Sequence, residues 1–188
     1  MADSNITKRA LATALRELMQ EVHFDKIQVA HICERCDMNR KSFYYHFKDK
    51  YDLVNWIFDT EFITIAMESA SEMPADDHWE LIERACNYFY ENRDFYRKAL
   101  RIKGQNSFSD HLREYCFPLI KIRVARLIGD DAAEDFTINF FTDAMICATE
   151  RWLLDKECLP PVQFVSKLKQ IIQGGAVAIY QEMNPALE

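Results

Sequence analysis

Glycine and proline are scarce in this chain, with four Gly and five Pro among 188 residues. Ala, Leu, Glu, Lys and Gln are frequent instead, a balance that favours helix over sheet. Long apolar runs are missing. No stretch reaches the roughly 18 residues that a membrane-crossing helix needs, so no such helix is expected. Ile6-Thr7-Lys8-Arg9 is charged where a secretory leader would begin its apolar segment, so no leader is expected and the chain reads as cytoplasmic. Neither a strand pattern nor an internal repeat stands out. No Ser/His/Asp arrangement, phosphate loop or paired metal motif can be picked out either. The expectation is therefore no enzyme and no cofactor.

What the chain does contain begins with six cysteines: Cys33, Cys36, Cys86, Cys116, Cys147 and Cys158. They fall in apolar helical patterns, as reduced thiols of a cytosolic protein do. Cys33-Glu34-Arg35-Cys36 has the CxxC spacing of a zinc-ligand pair. A four-coordinate site needs two more ligands, and no second CxxC or HxxxH pair occurs. His31 and His46 are close in sequence, but helical geometry points their rings elsewhere. Packing is the better reading of the pair, and no metal site is expected.

The net charge of −7 argues against a protein that coats nucleic acid over its whole surface. Residues 1–52 nevertheless hold nine Lys/Arg against eight Asp/Glu, so the acidity lies in the remainder. Between Met38 and Lys50 the cations Arg40, Lys41, Lys48 and Lys50 face Asp49 alone. Phosphate attraction acts within a Debye length of ~8–10 Å, so a local basic patch can hold DNA while an acidic body discourages indiscriminate binding. Phe43, Tyr44, Tyr45, His46 and Phe47 interleave with these cations. A short helix that must pack on a neighbour and also present cations to a polyanion has this composition. The segment reads as the second helix of a DNA-binding helix-turn-helix.

Apolar periodicity predicts an all-α chain of nine helices in two domains. The first helix runs from about Ser4, its cap, to Val22, with Ile6, Ala10, Leu11, Ala14, Leu15, Leu18 and Val22 on one stripe. The second spans about Gln28 to Cys36. Asp37 then takes the turn position that demands left-handed backbone. Asn39 caps a third helix, Arg40 to Phe47, and Asp49 caps a long fourth. A break at Met73-Pro74-Ala75 precedes a fifth helix opened by Asp77 with Glu80. Asp94 caps a sixth that ends near Gly104. A seventh opens at Asn106 or Ser107, is expected to be kinked near Glu114–Cys116 by Pro118, and stops at Gly129. An eighth begins at Asp130 or Asp131 and ends near Glu157. The ninth follows Pro160-Pro161 and ends near Met183. The division expected is a three-helix head, residues 1–50, and a helical body, residues 51–188.

The run from Ile27 to Leu53 resembles the head of the TetR family of transcriptional regulators, whose pattern there is roughly I-T-V-x-x-I-A-x-x-A-G-V-S-x-x-T-F-Y-x-H-F-x-x-K-x-x-L. Val29, Ile32, Phe43, Tyr44, His46, Phe47, Lys50 and Leu53 match it. Met38 and Ser42 are conservative replacements. The phrase from Phe43 to Leu53, with Trp56 soon after, is similar to the branch that includes regulators of dihydroxyacetone-kinase operons. Residues Phe95 to Leu100 and Gly104 to Phe108 resemble the body of that branch. Three departures stand out. Gln28 replaces the usual Thr, Asp37 replaces Gly, and Cys33 and Cys36 replace small Ala positions.

The resemblance implies that the third helix enters the major groove, early residues toward bases and later ones toward backbone. Arg40 and Lys41 are the base-reading candidates, since their cationic heads can reach guanine O6 and N7. A helix start disfavours cations, so their presence there points to use rather than to plain solvation. Ser42 is a base or phosphate candidate. Tyr44 is the phosphate-contacting tyrosine by resemblance, and Tyr45 a sugar or thymine-methyl contact; partial packing against neighbouring helices is the alternative for both. His46 either donates to a phosphate or bonds the backbone where the fourth helix begins. Lys50 sits in the first turn of that helix, where an anion is attracted, and is expected on a phosphate. Gln28 is a further phosphate candidate, with His31 behind it. Phe43 and Phe47 read as core.

In the body, Trp56, Phe62, Met67, Phe89, Tyr96, Phe108, Tyr115 and Trp152 are candidates for lining an apolar ligand pocket, with ordinary core packing as the alternative. The last two helices resemble the family's two-helix dimerisation face. Phe136, Phe140, Ala144, Phe164, Leu168, Ile172, Gly175 and Ile179 are the interface candidates there. The reading is thus a sequence-specific, homodimeric DNA-binding regulator of transcription, with a double-stranded operator as partner and a ligand in the body tuning its affinity. The alternative is a DNA-anchored coregulator whose body binds a protein partner.

Overall fold

The computed structural model describes residues 2–72, 78–104, 107–129 and 134–183; of these, the side chains of 2–3, 63–72, 78, 123, 127–128, 176–177 and 179–183 stay outside the description. The described residues form nine α-helices and no strand: α1 Ala2–Glu21, α2 Val29–Arg35, α3 Arg40–His46, α4 Lys50–Glu72, α5 His78–Glu91, α6 Arg93–Ala99, α7 Phe108–Ile128, α8 Asp135–Leu154 and α9 Pro161–Met183. The all-α expectation holds. The chain divides into two compact units. One is Met1–Met67 with Asn92–Phe108, the other Glu68–Glu91 with Ser109–Glu188.

In the first unit, α1 buries Leu11, Ala14, Leu15, Leu18 and Met19. Ile6 and Val22 belong to the same periodicity yet are 65% and 42% exposed. A 20-residue helix is about 30 Å long, so its ends overhang the seven-residue helices α2 and α6 that pack on it. Ser4 lies within α1 rather than capping it, because the helix already starts at Ala2. A short 3-10 turn, Phe24–Lys26, leads to α2.

The end of α2 follows from one residue. Asp37 adopts φ +53, the left-handed conformation expected of it. The Met38 N–H then donates to Cys33 O at 2.8 Å and the Asp37 N–H to Glu34 O at 3.4 Å. This pair of bonds satisfies the last carbonyls and turns the chain toward α3. Arg35 fixes α2 to α1 by donating to both carboxylate oxygens of Glu21, each at 2.8 Å. Asn39 caps α3 as expected, accepting from Ser42 N at 2.8 Å. Asp49 caps α4, accepting from the amides of Tyr51 and Asp52 at 2.8 and 2.9 Å.

Segment 92–108 folds into the first unit, where α6 packs on α1. Lys98 Nζ donates to Met19 O at 2.5 Å, satisfying a carbonyl where the helix dipole welcomes a cation. Tyr96, fully buried, donates its hydroxyl to Glu61, whose other oxygen pairs with Arg16. Asp94 does not cap α6; the helix starts at Arg93 with Asn92 in the cap position, which leaves Asp94 in the first turn. That helix ends at Ala99, before Gly104.

In the second unit, α9 packs against α5 and α8. Trp152 stacks on Phe164 at 4.3 Å with planes 6° apart and donates its indole N–H to Leu159 O at 2.8 Å. Pro161 opens α9, where a missing N–H costs nothing. Arg113 ties α7 to α8 by donating to Asp143 at 2.7 Å and Asn139 at 2.6 Å. The seventh helix continues through Pro118 and stops before Gly129, at φ +85, as expected. Its neighbour α8 begins at Asp135 and ends at Leu154, short of Glu157, because Asp155 takes an extended backbone. The expected caps Asp77, Asn106, Asp130 and Asp131 lie outside the described residues.

Candidate nucleic-acid interface

The third helix has a buried side and an exposed side. Phe43 is 0% and Phe47 3% exposed, and they hold the helix on the head. Phe47 meets Trp56 of α4 edge-on at 5.7 Å. Burying two such rings contributes roughly 2–3 kcal/mol each before entropy is counted. Arg40 and Lys41 project from the first turn into solvent. Tyr44 and Tyr45 follow at 58% and 82% exposure. The Tyr44 ring leans edge-on against Phe43 at 5.5 Å, so its orientation is set while its hydroxyl stays free for a partner. Tyr45 rests edge-on against His46 at 4.9 Å. Exposed tyrosines beside cations suit a polyanion, whose phosphates meet the charges and hydroxyls while its sugars and bases meet the rings.

Ser42, Gln28 and His46 are placed differently. Ser42 is half-buried, and its hydroxyl donates to the capping Asn39 Oδ1 at 3.2 Å. Gln28 is exposed at the start of α2. Its backbone N–H donates to His31 Nδ1 at 3.2 Å, so His31 reaches back to the cap residue as one half of a capping box. His46 is half-buried beside Phe47.

Lys50 requires a correction. Its ammonium points inward and donates to Phe24 O at 2.7 Å, Ile27 O at 2.8 Å and Asp25 O at 3.3 Å. It also sits 4.4 Å from the centre of the Phe24 ring. Burial lowers its pKa below the ordinary lysine value, with Asp25 and Asp49 acting against that shift. An ammonium has three protons, and the link between α1 and α2 takes all three. The first turn of α4 did suggest an anion site, but the carbonyls left open by the 3-10 turn are nearer partners.

Cys33 is buried and Cys36 half-buried, and the Cys36 thiol donates to Ile32 O at 3.2 Å. Burial raises both thiols above the ordinary value. Among the described residues no three His, Cys, Asp or Glu side chains converge as a metal site would require.

The pocket candidates are dispersed. Tyr96 and Phe108 are core neighbours, 5.5 Å apart. Phe62 lies against Phe58 at 5.4 Å, and Tyr115 against His111 at 5.3 Å. Phe89 is buried, Trp56 half-buried, and the Met67 side chain lies outside the description. Among the described cavities, Trp152 lines one of about 420 Å³, together with Cys147, Arg151, Cys158 and Phe164.

The dimer candidates split into two groups. Phe136 and Phe140 are 80% and 58% exposed, and Ala144 is exposed beyond them on the same face of α8. Phe164, Leu168 and Ile172 are instead buried within the chain, on the side of α9 that meets α5 and α8. One apolar stripe looked like one interface, but two neighbouring helices already cover most of it. Gly175 lies close to the Phe141 ring, where an added Cβ would stand at 3.7 Å. The Ile179 side chain is outside the description. Ile171, not among the candidates, is 69% exposed.

Sequence reasoning also passed over Glu61, Arg16, Arg101 and Lys103. Glu61 and Arg16 gave no sequence signal, since charges recur along both α4 and α1 and nothing local sets these two apart. The basic run from Arg93 to Lys103 was visible.

Comparison with known proteins supplies two family matches. The family described as bacterial regulatory proteins, tetR family, matches residues 11–57. The family described as transcriptional regulator C-terminal region matches residues 77–174. The HTH-type dhaKLM operon transcriptional activator DhaS of Lactococcus lactis subsp. lactis (strain IL1403) is 30% identical over 102 residues, 54% of this chain and 53% of that protein. The match therefore spans about half the length of that relative. The solved structure of a dihydroxyacetone kinase operon activator DhaS superposes with a TM-score of 0.60 at 19% identity, covering 91% of this chain and 96% of that one. At that identity the likeness is one of fold.

Proposed function

The chain belongs to the tetR family of bacterial regulatory proteins, and on that premise we propose that it is a homodimeric, sequence-specific regulator of transcription that reads DNA with α3. The observation that carries the reading is the two-sided third helix. Phe43 and Phe47 fix it from below while Arg40, Lys41, Tyr44 and Tyr45 stand free above. Arg40 and Lys41 read base edges, Tyr44 and Gln28 hold phosphates, Tyr45 rests on a sugar or thymine methyl, and Ser42 and His46 support from the edge. Lys50 acts indirectly, by clamping the link that leads into α2. Residues 1–50 are the reading head and 51–188 the body that dimerises and receives the signal. The exposed phenylalanines of α8 are the dimer contact. The reaction-free character of the family's regulators extends to this chain, which we read as no enzyme.

Selection of bound sites from random double-stranded DNA tests the reading. A two-fold symmetric site with half-sites about one helical turn apart is expected. Recovery of no preferred sequence would end it.

A second reading rests on one observation, the likeness to an activator named for the dhaKLM operon. An activator recruits rather than blocks, so the body would bind a protein. Co-purification of a protein with the body supports it. Binding of a small molecule whose affinity changes when operator is added supports the ligand-switch form instead, because coupling is reciprocal.

A further inference from the structure

Besides the basic patch around α3, the first unit holds a second concentration of positive charge. Residues 1–67 hold nine Lys/Arg against ten Asp/Glu, a balance of −1. Residues 92–108 hold Arg93, Arg97, Lys98, Arg101 and Lys103 against Asp94, a balance of +4. The unit as a whole is thus +3, and the second unit carries −10. The net positive charge of this unit thus depends on a segment that lies over 40 residues beyond its helix-turn-helix.

Segment 92–108 is seated against the end of α1 and the link that leads into α2. Lys98 is bonded to the last turn of α1. Arg101 and Ile102 line a shallow cavity of about 310 Å³ with Val22, Phe24 and Asp25 of the α1–α2 link. That link runs directly into Gln28 at the start of α2, and three residues span at most ~11 Å. Arg101 and Lys103 are both exposed. The acids nearby do little to cancel them. Glu21 is taken by Arg35, which leaves Asp25 as the opposing carboxylate in the cavity lining.

We propose that Arg101 and Lys103 form a second phosphate-contacting surface, which grips the DNA backbone flanking the half-site that α3 reads. The occupant is duplex DNA because charge, position and reach agree. Exposed cations beside the element that opens α2 lie on the path of the same backbone, and phosphates are spaced closely enough that two cations meet at least one. Neither residue would read bases, so the surface adds affinity without adding sequence preference. The inference rests on the DNA-binding reading above.

The test uses the full chain and the site that the wild-type protein selects from random DNA. Binding is measured on that site trimmed to its selected bases and on the same site extended by about one helical turn at each end. The wild type should bind the extended duplex roughly tenfold more tightly or better. Arg101→Ala with Lys103→Ala should remove that gain and leave the trimmed site unaffected. The slope of log affinity against log salt on the extended duplex should flatten by about 0.9 for each phosphate that the variant no longer neutralises. Charge-retaining Arg101→Lys should keep most of the gain. Equal wild-type affinity for the two duplexes overturns the inference, as does an equal loss on both in the double variant. In either case α3 binding stands. Failure of the wild type to select any DNA removes the reading itself and the flanking grip with it.

Discussion

Tyr96 of α6 donates its hydroxyl to Glu61 of α4, and the same carboxylate is shared with Arg16 of α1. Three helices of the first unit thus meet at one anion. Tyr96 is 0% exposed, so its hydroxyl has no water to turn to. Tyr96→Phe keeps the ring and its packing on Phe108 but removes the donor. A hydrogen bond to a charged group contributes roughly 1.5–3 kcal/mol. The expected result is an unfolding free energy lower by that amount, read as a lower denaturant midpoint with an unchanged slope. An unaltered midpoint would mean that Arg16 alone satisfies Glu61.

Lys50 gives a prediction opposite to the one its sequence position suggests. Lys50→Met preserves the stem and removes the ammonium, stranding the carbonyls of Phe24, Asp25 and Ile27. The loss expected is about 1–3 kcal/mol of stability. DNA binding by the protein that remains folded should show the wild-type salt slope. A slope flattened by about 0.9 at unchanged stability would restore a phosphate role.

Arg40 and Tyr44 should fail differently on DNA. Arg40→Ala is expected to relax preference at one base position and cost roughly 1–3 kcal/mol there. Tyr44→Phe should weaken binding to every sequence alike, because a phosphate contact carries no base information. Binding profiles over a randomised site separate the two. Identical profiles would remove the division of labour.

Much of the head was legible in the sequence because its turns are made by local chemistry. Asp37, Asn39 and Asp49 act through their own side chains or backbone within three residues, and all three took the expected places. Lys50 was misread because its partners lie 23 to 26 positions earlier. No local pattern encodes a chain that folds back over such a gap. The same holds for Glu61, whose partners are 45 and 35 positions away. On α9, periodicity identified an apolar face correctly but could not tell which neighbour covers it. Phe164, Leu168 and Ile172 are as apolar as Phe136 and Phe140, and only packing separates them.

The Arg35–Glu21 pair gives a pH prediction. Hydrogen bonding from the Arg35 guanidinium lowers the Glu21 pKa below 4.5, ahead of the opposing effect of desolvation. A depressed folded value means that the unfolded chain binds the proton more readily. The pair's contribution is therefore present above the unfolded value and fades as pH falls through the folded one. Glu21 is solvated, so the effect is modest. Stability of Glu21→Gln should lie below wild type at pH 7, and the two should converge as the pH falls through the lowered Glu21 value. A difference that persists at low pH would assign the loss to packing.

The two kinds of phenylalanine in the last helices should separate assembly from folding. Phe136→Asp with Phe140→Asp places charge on a face that the chain itself leaves exposed, so the fold has little to lose. A charge at the centre of an apolar contact is unpaired on both sides of a symmetric dimer, where each residue meets the partner's same patch. Sedimentation at micromolar concentration should show a monomer with the wild-type helical content. DNA binding should weaken severely, because one head then holds one half-site. Phe164→Ala acts the other way. It removes a ring stacked on Trp152 inside the chain and should cost roughly 3–5 kcal/mol of stability. If the Phe136 and Phe140 variant stays dimeric at the same concentration, the exposed stripe of α8 is not the contact, and Ile171 on α9 becomes the next residue to change.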